Sequence, residues 1–440
     1  MQLPTGQVML AVDDQEQQIV SIGWKETYDI AEDGFCGLAE EQAPFEDPTE
    51  EKPEPEFFPY KLATDLVVQG TAHSPGGRPV SEMKASVQVG RVHKEIMVLG
   101  DRTCTYQQGQ APRFSEPEPE FFPYKSATDL VVQGPAHAPS ERSVPEMIAA
   151  VLVGRMRKEI KVIGDRTCTY QQGRAPRFSD PEPFTTMPLG YERAYGGKDP
   201  SPREKTLEEL LAVHPGTYPR NDTGRGYVLA NEPDSMEGLA LPNLENPRDR
   251  LTPHSLVAGD PGNWWKQPLP ESFDWTRPHW YPRMVHLGLA PEGLPSDERL
   301  IPEVKKGYLP VGHQRLCANP FTDPHISLRF TNGAAPDLIF PYFQGGEQIK
   351  LKGMRPQGDW LIELPRTAPE MQVRYRGAAS RVLAVLHTVL IQSDEARLTL
   401  VWRGAWSPPV KLPTKLPTIQ NPDFDPLEGV AIWINGQTLR

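Results

Sequence analysis

The chain has 440 residues, a formal net charge of −12 and 49 prolines. This length allows two or three domains, or one large domain with insertions. The acidic balance, with no cluster of Lys and Arg, argues against a nucleic-acid or anionic-membrane partner. The first residues lack a basic segment followed by an apolar one, and no run of about 18 apolar residues occurs later. We therefore expect a soluble, cytoplasmic protein that binds neither nucleic acid nor membrane.

Cysteine and histidine usage indicates neither a disulfide framework nor a metal site. Cys104 and Cys168 stand at equivalent positions of a repeated segment, which leaves Cys36 and Cys317 as single residues. We expect all four to be free, mostly buried thiols. The ten histidines are scattered singly, and none has a second ligand at metal-binding spacing. The sequence therefore predicts no metal and no cofactor.

The N-terminal region predicts two strands joined by a turn. Residues 17–38 read QQIVSIGWKETYDIAEDGFCGL, where alternating apolar residues are followed by Glu-Asp-Gly. An acidic stretch, EEQAPFEDPTEEKPEPE, comes next and is typical of a linker or long loop. We assign residues 1–52 to these strands and the linker.

The next region contains the same stretch of sequence twice, almost unchanged. Residues 56–70 read EFFPYKLATDLVVQG and residues 120–134 read EFFPYKSATDLVVQG, at a constant offset of 64 residues. Repeat architectures need at least about three units to bury a shared core. Because there are only two units and they are nearly identical, we interpret them as a recent tandem duplication. Copy one spans residues 53–116 and copy two spans residues 117–183.

Each copy predicts three strands in a small β-meander. In copy one these are TDLVVQG, ASVQVG and KEIMVLGD, separated by glycines. The middle strand alternates between apolar and polar residues in copy one, whereas in copy two it reads AAVLVG. A strand buried on both faces is apolar throughout, and a strand with one wet face alternates. This difference suggests the hypothesis that copy two holds the original place in the main sheet and copy one lies at its periphery.

The remaining chain alternates irregular and strand-like regions. Residues 201–216, SPREKTLEELLAVHPG, carry capping-box spacing and end in Pro-Gly, which predicts one short helix. The rest of residues 184–345 is rich in Pro and Trp and predicts turn-rich chain packed by aromatics. Residues 346–440 predict strands again, with a hairpin turn at residues 393–396. The fold class expected is mainly β: layered, sandwich-like antiparallel sheets with long Pro-rich insertions and few short helices.

Motifs for catalysis are weak in this sequence. It contains no nucleophile elbow, no Walker loop and no dinucleotide fingerprint. Carboxylates such as Asp222, Glu245, Asp274 and Asp337 leave a carboxylate-based hydrolase as an open alternative, because a glycosidase needs only two acids at the right distance.

Exposed aromatic side chains suit protein interfaces. Four aromatics in Pro/Glu-rich connecting chain are candidates for such a surface: Phe57, Phe58, Phe121 and Phe122.

Several unusual strings in this order resemble a known family: KETYDIAEDG, GDRTCTY, FSDPEPFTTMPLGYERAYGG, LPNLENP, WYPR, TNGAAPDLIFPYFQGGEQIKLKGM and LTLVWRG. The similarity is to a bacterial family of unknown function whose members lie in type VI secretion gene clusters beside spike proteins and toxins. The matching motif positions are Glu192, Arg193, Gly196, Gly197, Asn243, Glu245, Arg283, Asn332, Gly333 and Pro336.

This resemblance implies a non-enzymatic cytoplasmic adaptor or chaperone without a cofactor. Such a protein would hold a secreted effector toxin, or its PAAR-type spike tip, and deliver it to the VgrG spike. The sequence departs from the family in carrying the ATDLVVQG unit twice where members carry it once. Two alternatives stay open at this point: a carboxylate-based hydrolase and a purely structural β-rich binding protein.

Overall fold

The computed structural model describes residues 4–12, 18–45, 61, 63–100, 102–104, 135–137, 146–154, 156–163, 166–168, 176–200, 216–230, 233–236, 238–284, 293–306, 309, 311, 332–410, 412, 427 and 429–438. Several predictions fall outside these described residues: the body of the helix at 201–215, the four candidate aromatics Phe57, Phe58, Phe121 and Phe122, and Cys317.

Twelve strands come from the N-terminal region and the two copies. The N-terminal strands are β1 (Thr5–Val12), β2 (Gln18–Ile30) and β3 (Cys36–Leu38). Copy one supplies β4 (Thr64–Gln69), β5 (Thr71–His73), β6 (Glu82–Val89), β7 (Arg91–Leu99) and β8 (Arg102–Cys104). Copy two supplies β9 (Pro135–His137), β10 (Glu146–Gly154), β11 (Met156–Ile163) and β12 (Arg166–Cys168).

The described residues of the middle and C-terminal regions add thirteen strands and two α-helices. The middle region contains β13 (Thr186–Pro188), β14 (Tyr195–Gly196), β15 (Arg225–Gly226), α1 (Pro233–Met236), β16 (Leu244–Glu245), α2 (Pro302–Lys305) and β17 (Ile339–Phe340). The C-terminal region contains β18 (Gln348–Lys352), β19 (Trp360–Glu363), β20 (Met371–Tyr375), β21 (Ala378–Val382), β22 (Ala384–Gln392), β23 (Arg397–Trp406), β24 (Val430–Ile434) and β25 (Gln437–Thr438).

The first sheet joins the two ends of the chain. Its order is β1-β2-β23-β22-β4-β17, and β3 pairs with β2 around the predicted turn. β22 and β23 form the predicted hairpin across residues 393–396 and pair antiparallel. Their register shifts between Leu386 and Thr388, so a bulge falls at His387. Bulges redirect side chains, and this one places His387 in the polar interior described below.

The first strand of copy one lies inside this sheet. β4 runs parallel to β22 and has β17 on its other side. Leu66, Val67 and Val68 are fully buried, as a continuous apolar run requires when both faces of a strand are covered. The hypothesis that copy one sits at the periphery is therefore wrong for β4. Copy one also departs from a single meander, because β6 and β7 belong to another sheet.

The second sheet receives strands of both copies at overlapping positions, since equivalent residues of β6 and β10 pair with the same residues of β18. Its order is β10-β11-β16-β7-β6-β18-β19, with additional pairings of β10 and β11 to the strands of copy one. β6 and β7 form an antiparallel hairpin. The alternation predicted for residues 85–89 of β6 is wrong at Ser86, which is fully buried like its neighbours Ala85 and Val87, while Gln88 is partly exposed. The wet face of β6 is therefore limited to Glu82, Lys84 and, in part, Gln88.

One main core lies between the sheets. It contains Val20 and Leu66 from the first sheet, Val87 and Ile349 from the second, and Val373 from a third sheet. The third sheet is antiparallel, with the order β21-β20-β24-β25. The mainly β class, built from several antiparallel sheets with short helices, is confirmed.

The middle region has a separate core rich in tyrosine and tryptophan. Tyr195, Tyr218 and Tyr227 pack against one another with ring centroids 5.1–6.3 Å apart. Trp264 packs edge-on to Tyr281 at 5.2 Å. Aromatic side chains bury large areas without regular secondary structure, so they stabilise this turn-rich stretch as predicted.

The described helices are all too short or too polar to cross a membrane.

Among the described cysteines, Cys36 is free and half-buried. Burial raises the pKa of its thiol to about 12. The backbones of Cys104 and Cys168 lie in β8 and β12.

Candidate functional site

The YERAYGG motif forms a tight backbone junction around Asn221. The Asn221 amide donates hydrogen bonds to the carbonyls of Tyr191, at 2.7 Å, and Tyr195, at 3.1 Å. The Asn221 carbonyl accepts the N–H of Gly197 at 2.8 Å. Gly196 has a φ of +149°, and a Cβ there would lie 2.2 Å from the Asn221 carbonyl oxygen. The glycines of this motif therefore permit close approach of two backbones.

Gly196→Ala is expected to lower the free energy of unfolding by more than about 2 kcal/mol, because the methyl group strains φ and collides with the backbone. Gly259→Ala is the matched control. Gly259 also has a positive φ, of +77°, but a Cβ there meets nothing within 4 Å, so only the conformational cost of about 1–2 kcal/mol applies. Urea unfolding measures both variants. Equal losses of unfolding free energy in the two variants would show that the close contact with Asn221 contributes nothing to the effect of Gly196→Ala.

The LPNLENP motif ties this junction to the second sheet. The Asn243 N–H donates to the Arg193 carbonyl at 2.7 Å, and the Asn243 carbonyl accepts the Leu99 N–H at 3.3 Å. The Arg193 guanidinium also donates to the Asn243 side chain at 3.4 Å. Glu245 is buried and accepts a hydrogen bond from Arg250 at 2.9 Å. These contacts hold β16 in place and give its motif residues a fold-defining role.

The TNGAAP motif binds a buried aspartate of copy one. The Asn332 side chain donates to the Asp65 carboxylate at 2.9 Å and to the Ala63 carbonyl at 3.1 Å. The Gly333 N–H donates to the other Asp65 oxygen at 3.1 Å. Asp65 also forms an ion pair of 2.8 Å with Lys61, and both side chains are fully buried. We call these two residues the Lys61–Asp65 pair.

Further contacts around Lys61 complete this polar interior. The Lys61 ammonium donates to Thr388 at 2.9 Å and lies 5.3 Å from the centroid of the Trp275 ring. The backbone N–H of Lys61 donates to His387 Nε2 at 3.0 Å. Burial, with the nearby charges of Lys61 and Arg403, holds the pKa of His387 well below its usual value. The imidazole is therefore neutral, as an acceptor nitrogen requires.

Arg283 of the WYPR motif, in the middle region of the chain, lies next to this polar interior. Arg283 is buried and donates to the Thr276 carbonyl. A Cβ on Gly333 would lie 2.9 Å from the Arg283 guanidinium and from the Trp275 ring, so only glycine fits there. Pro336 opens the short 3₁₀ helix that leads into β17. The structure thus brings Arg283, Gly333 and Asn332 together next to the Lys61–Asp65 pair.

Sequence reasoning missed the Lys61–Asp65 pair and Asn221. The signal for the pair was present, because Lys and Asp stand four residues apart directly before the apolar run LVV. A charge so close to a strand buried on both faces needs a buried partner. Asn221 gave no such signal, since Asn-Asp-Thr-Gly is equally typical of an exposed turn.

The four carboxylates singled out from the sequence have different surroundings. Asp222 accepts a hydrogen bond from Trp280 at 2.7 Å and lies 3.0 Å from His279. Burial would raise the pKa of Asp222, but these two hydrogen bonds outweigh it and hold the pKa below its usual value. Burial and then the Glu192 carboxylate raise the pKa of Asp274 well above its usual value. The other two differ again, since Glu245 accepts a hydrogen bond from Arg250 and Asp337 lies in the first turn of the 3₁₀ helix that Pro336 opens.

Within the described ranges, no three His, Cys, Asp or Glu side chains are grouped so that they could hold a metal ion.

An apolar groove opens on the surface where the turn after β2 meets β19. It encloses about 430 Å³. Phe35 and Leu361 line it and remain 70% and 48% exposed, which is unusual for side chains of this size. Its other lining residues, which include three charged side chains, are Asp33, Gly34, Cys36, Gln348, Glu363, Leu364, Pro365 and Arg366. We call this feature the Phe35–Leu361 groove.

The two walls of the groove are fixed to each other. The Trp360 indole donates to the Ala31 carbonyl at 3.1 Å, and Arg355 donates to the Glu32 carbonyl at 3.3 Å. The Arg355 guanidinium also lies 4.8 Å from the Trp360 ring centroid. Gly34 has a φ of +88°, and its Cα approaches the carbonyl of Leu361 so closely that no side chain fits. The groove is therefore formed before any partner binds.

The fold and this groove define a β-rich protein whose motif residues mainly support its architecture. The chain belongs to the family described as "Uncharacterized protein conserved in bacteria (DUF2169)", whose profile matches residues 15–121 and 116–403. The two matched segments meet at the border between copy one and copy two. Neither a curated protein nor a solved structure matched the chain.

Proposed function

We propose that this protein is a non-enzymatic adaptor or chaperone in type VI secretion. In this proposal it binds a secreted effector toxin, or the PAAR-type tip that carries the toxin, and loads it onto the VgrG spike in the bacterial cytoplasm. The resemblance of its motifs to proteins from type VI secretion gene clusters supports the partner class. The motif residues themselves stabilise the fold.

The observation that carries the proposal is the Phe35–Leu361 groove. Interfaces combine an apolar centre, enriched in aromatic side chains, with a polar rim. This groove is lined by the exposed apolar side chains Phe35 and Leu361 together with the charged residues Asp33, Glu363 and Arg366. Because its walls are already fixed, a partner loses little binding free energy in ordering them. We propose that a segment of the effector or of its spike tip inserts an apolar side chain here.

The experiment is affinity purification of the tagged full chain from its native host. We expect an effector or a spike protein to co-purify with the unaltered chain. Phe35→Asp and Leu361→Asp each place a charge in the apolar centre, so each should lower the recovered partner by about tenfold or more. Both side chains are exposed, and such substitutions change folding stability little.

Leu383→Asp is the matched control for these variants. Leu383 is 81% exposed and is not part of the groove, so it introduces the same charge elsewhere. Recovery of the partner should stay unchanged in this control. If no spike or effector protein co-purifies with the unaltered chain, and effector levels are the same in cells lacking it, the adaptor function is wrong. Full recovery by both groove variants would instead exclude the groove as the docking site.

A further inference from the structure

Equivalent residues of the two copies pair with the same residue of the second sheet. Val87 of β6 and Val151 of β10 are separated by the repeat offset of 64 residues, and both pair antiparallel with Leu351 of β18. Ser86 and Ala150, also equivalent, both pair with Lys352. Both copies therefore pair with β18 in the same register.

β18 can accept only one of them at a time. A strand has two edges, and each backbone group bonds in the sheet plane toward one edge. Trp360 of β19 pairs with Leu351 and takes one edge of β18. Only the other edge of β18 is then available to Val87 or Val151. We propose that copy one and copy two are alternative occupants of one place in the protein, with one copy docked and the other displaced in each molecule.

The shared pairing is not limited to β18. Met187 of β13 pairs with Ala72 in copy one and with the equivalent Ala136 in copy two. Leu244 of β16 pairs with Val98 and with the equivalent Val162. Three separate elements thus receive either copy in an unchanged register. An exchange of one complete unit for the other accounts for all of these pairings.

The two charged residues that complete the polar interior recur in the sequence of copy two. Lys61 and Asp65 are matched in copy two by Lys125 and Asp129, at the same spacing before the same LVV run. The groups that receive the pair, such as Asn332 and Thr388, lie outside both copies. The buried charges therefore do not prevent the exchange.

Two differences between the copies lie at positions that face the rest of the protein. The Thr71 N–H and hydroxyl both donate to Asp394, at 3.1 and 2.9 Å, whereas the equivalent Pro135 has neither donor. This favours copy one. Opposite the buried Glu245, copy one places Met97 and copy two places Lys161. Burial and the Arg250 guanidinium, which already binds Glu245, lower the pKa of the Lys161 ammonium to about 5, so this second difference does not favour copy two.

Hydrogen–deuterium exchange on the unaltered chain tests the proposal directly. Peptides covering residues 82–99 and 146–163 differ in sequence and can be told apart by mass. A docked strand is protected and a displaced strand exchanges rapidly. Each peptide should show a protected and an exchanged population, and the two protected fractions should add up to about one. Complete protection of both peptides in every molecule would overturn the proposal.

Disulfide trapping gives a second readout. In a background with Cys36, Cys104, Cys168 and Cys317 replaced by Ser, the triple variant S86C/A150C/K352C should form one disulfide per molecule, either 86–352 or 150–352. K352C alone controls for disulfides between molecules. Adding Thr71→Pro removes the two donors to Asp394, so the 150–352 product should increase by about tenfold relative to 86–352. Failure of either disulfide to form in a variant with an unchanged circular dichroism spectrum would contradict alternative occupancy.

Discussion

Arg220→Ala is expected to lower the free energy of unfolding by about 3–5 kcal/mol, because it leaves a buried carboxylate without its partner. Arg220 is buried in the aromatic core of the middle region and binds both oxygens of the buried Glu303, one of them at 2.8 Å. Burial alone would lower the pKa of this guanidinium, but the Glu303 carboxylate outweighs it and raises the pKa.

Several further contacts of Arg220 depend on its planar shape. The guanidinium donates to the Tyr218 hydroxyl at 2.9 Å and to the Trp265 carbonyl at 3.0 Å. It also lies 5.0 Å from the Trp264 ring centroid and 5.7 Å from that of Tyr281. A lysine cannot reproduce a bidentate, stacked guanidinium. Arg220→Lys should therefore recover only part of the lost stability.

Denaturant unfolding followed by tryptophan fluorescence measures these variants. Arg299→Ala is the control, because Arg299 forms an ion pair with Asp297 on the surface and is 73% exposed. Such exposed pairs contribute little to stability, so this variant should unfold like the unaltered chain. A loss below about 1 kcal/mol for Arg220→Ala would mean that the ion pair does not organise the middle core.

Removing both equivalent aspartates, Asp65 and Asp129, is expected to destabilise the protein far more than removing either one. Without an aspartate at this place, the buried Lys61 ammonium and the Asn332 amide lose their shared acceptor. Breaking a buried ion pair costs about 3–5 kcal/mol, and Asp65→Ala/Asp129→Ala should lose that amount. Asp129→Ala alone should cost much less, because copy one then remains docked.

Asp65→Ala alone distinguishes a fixed copy from an exchangeable one. If copy two can take the place of copy one, Asp129 restores the ion pair, and the loss is limited to the difference in stability between the two docked states. The single variant should then be more stable than the double variant by at least about 1.5 kcal/mol, which is well above ordinary non-additivity. Urea unfolding of the three variants measures this. Equal losses for Asp65→Ala and the double variant would show that copy two does not substitute.

Local patterns were sufficient to predict much of the fold. Residues 85–89 indicated strand β6, although Ser86 is buried and does not lie on a wet face, and residues 393–396 indicated the β22–β23 hairpin. Both features depend on neighbours close in sequence, where side-chain period and turn chemistry act directly. The aromatic packing of the middle region also followed from composition, because so many Trp and Tyr side chains need burial.

The candidate site was only partly predictable. The motif positions were identified, but whether they contact a partner or support the fold depends on burial, which one sequence does not contain. The Asn243 and Gly333 positions proved to be internal, tied to the Arg193 carbonyl and to Asp65. The Phe35–Leu361 groove was not predicted at all, because its walls come from segments more than 300 residues apart in the chain.

The sequence by itself determined the β class, the positions of strands such as β2, β4, β6 and β7, the turn before β3 and the presence of two nearly identical copies. Tertiary structure alone decided that β4 pairs in parallel with β22, that Lys61 and Asp65 meet Asn332 and Thr388, and that Val87 and Val151 share Leu351. The physical reason is that period-two alternation assigns each residue to a face of its strand but leaves the choice of neighbouring strand open. That choice is made by burial and backbone hydrogen bonding between distant segments, and here two copies satisfy it equally in register.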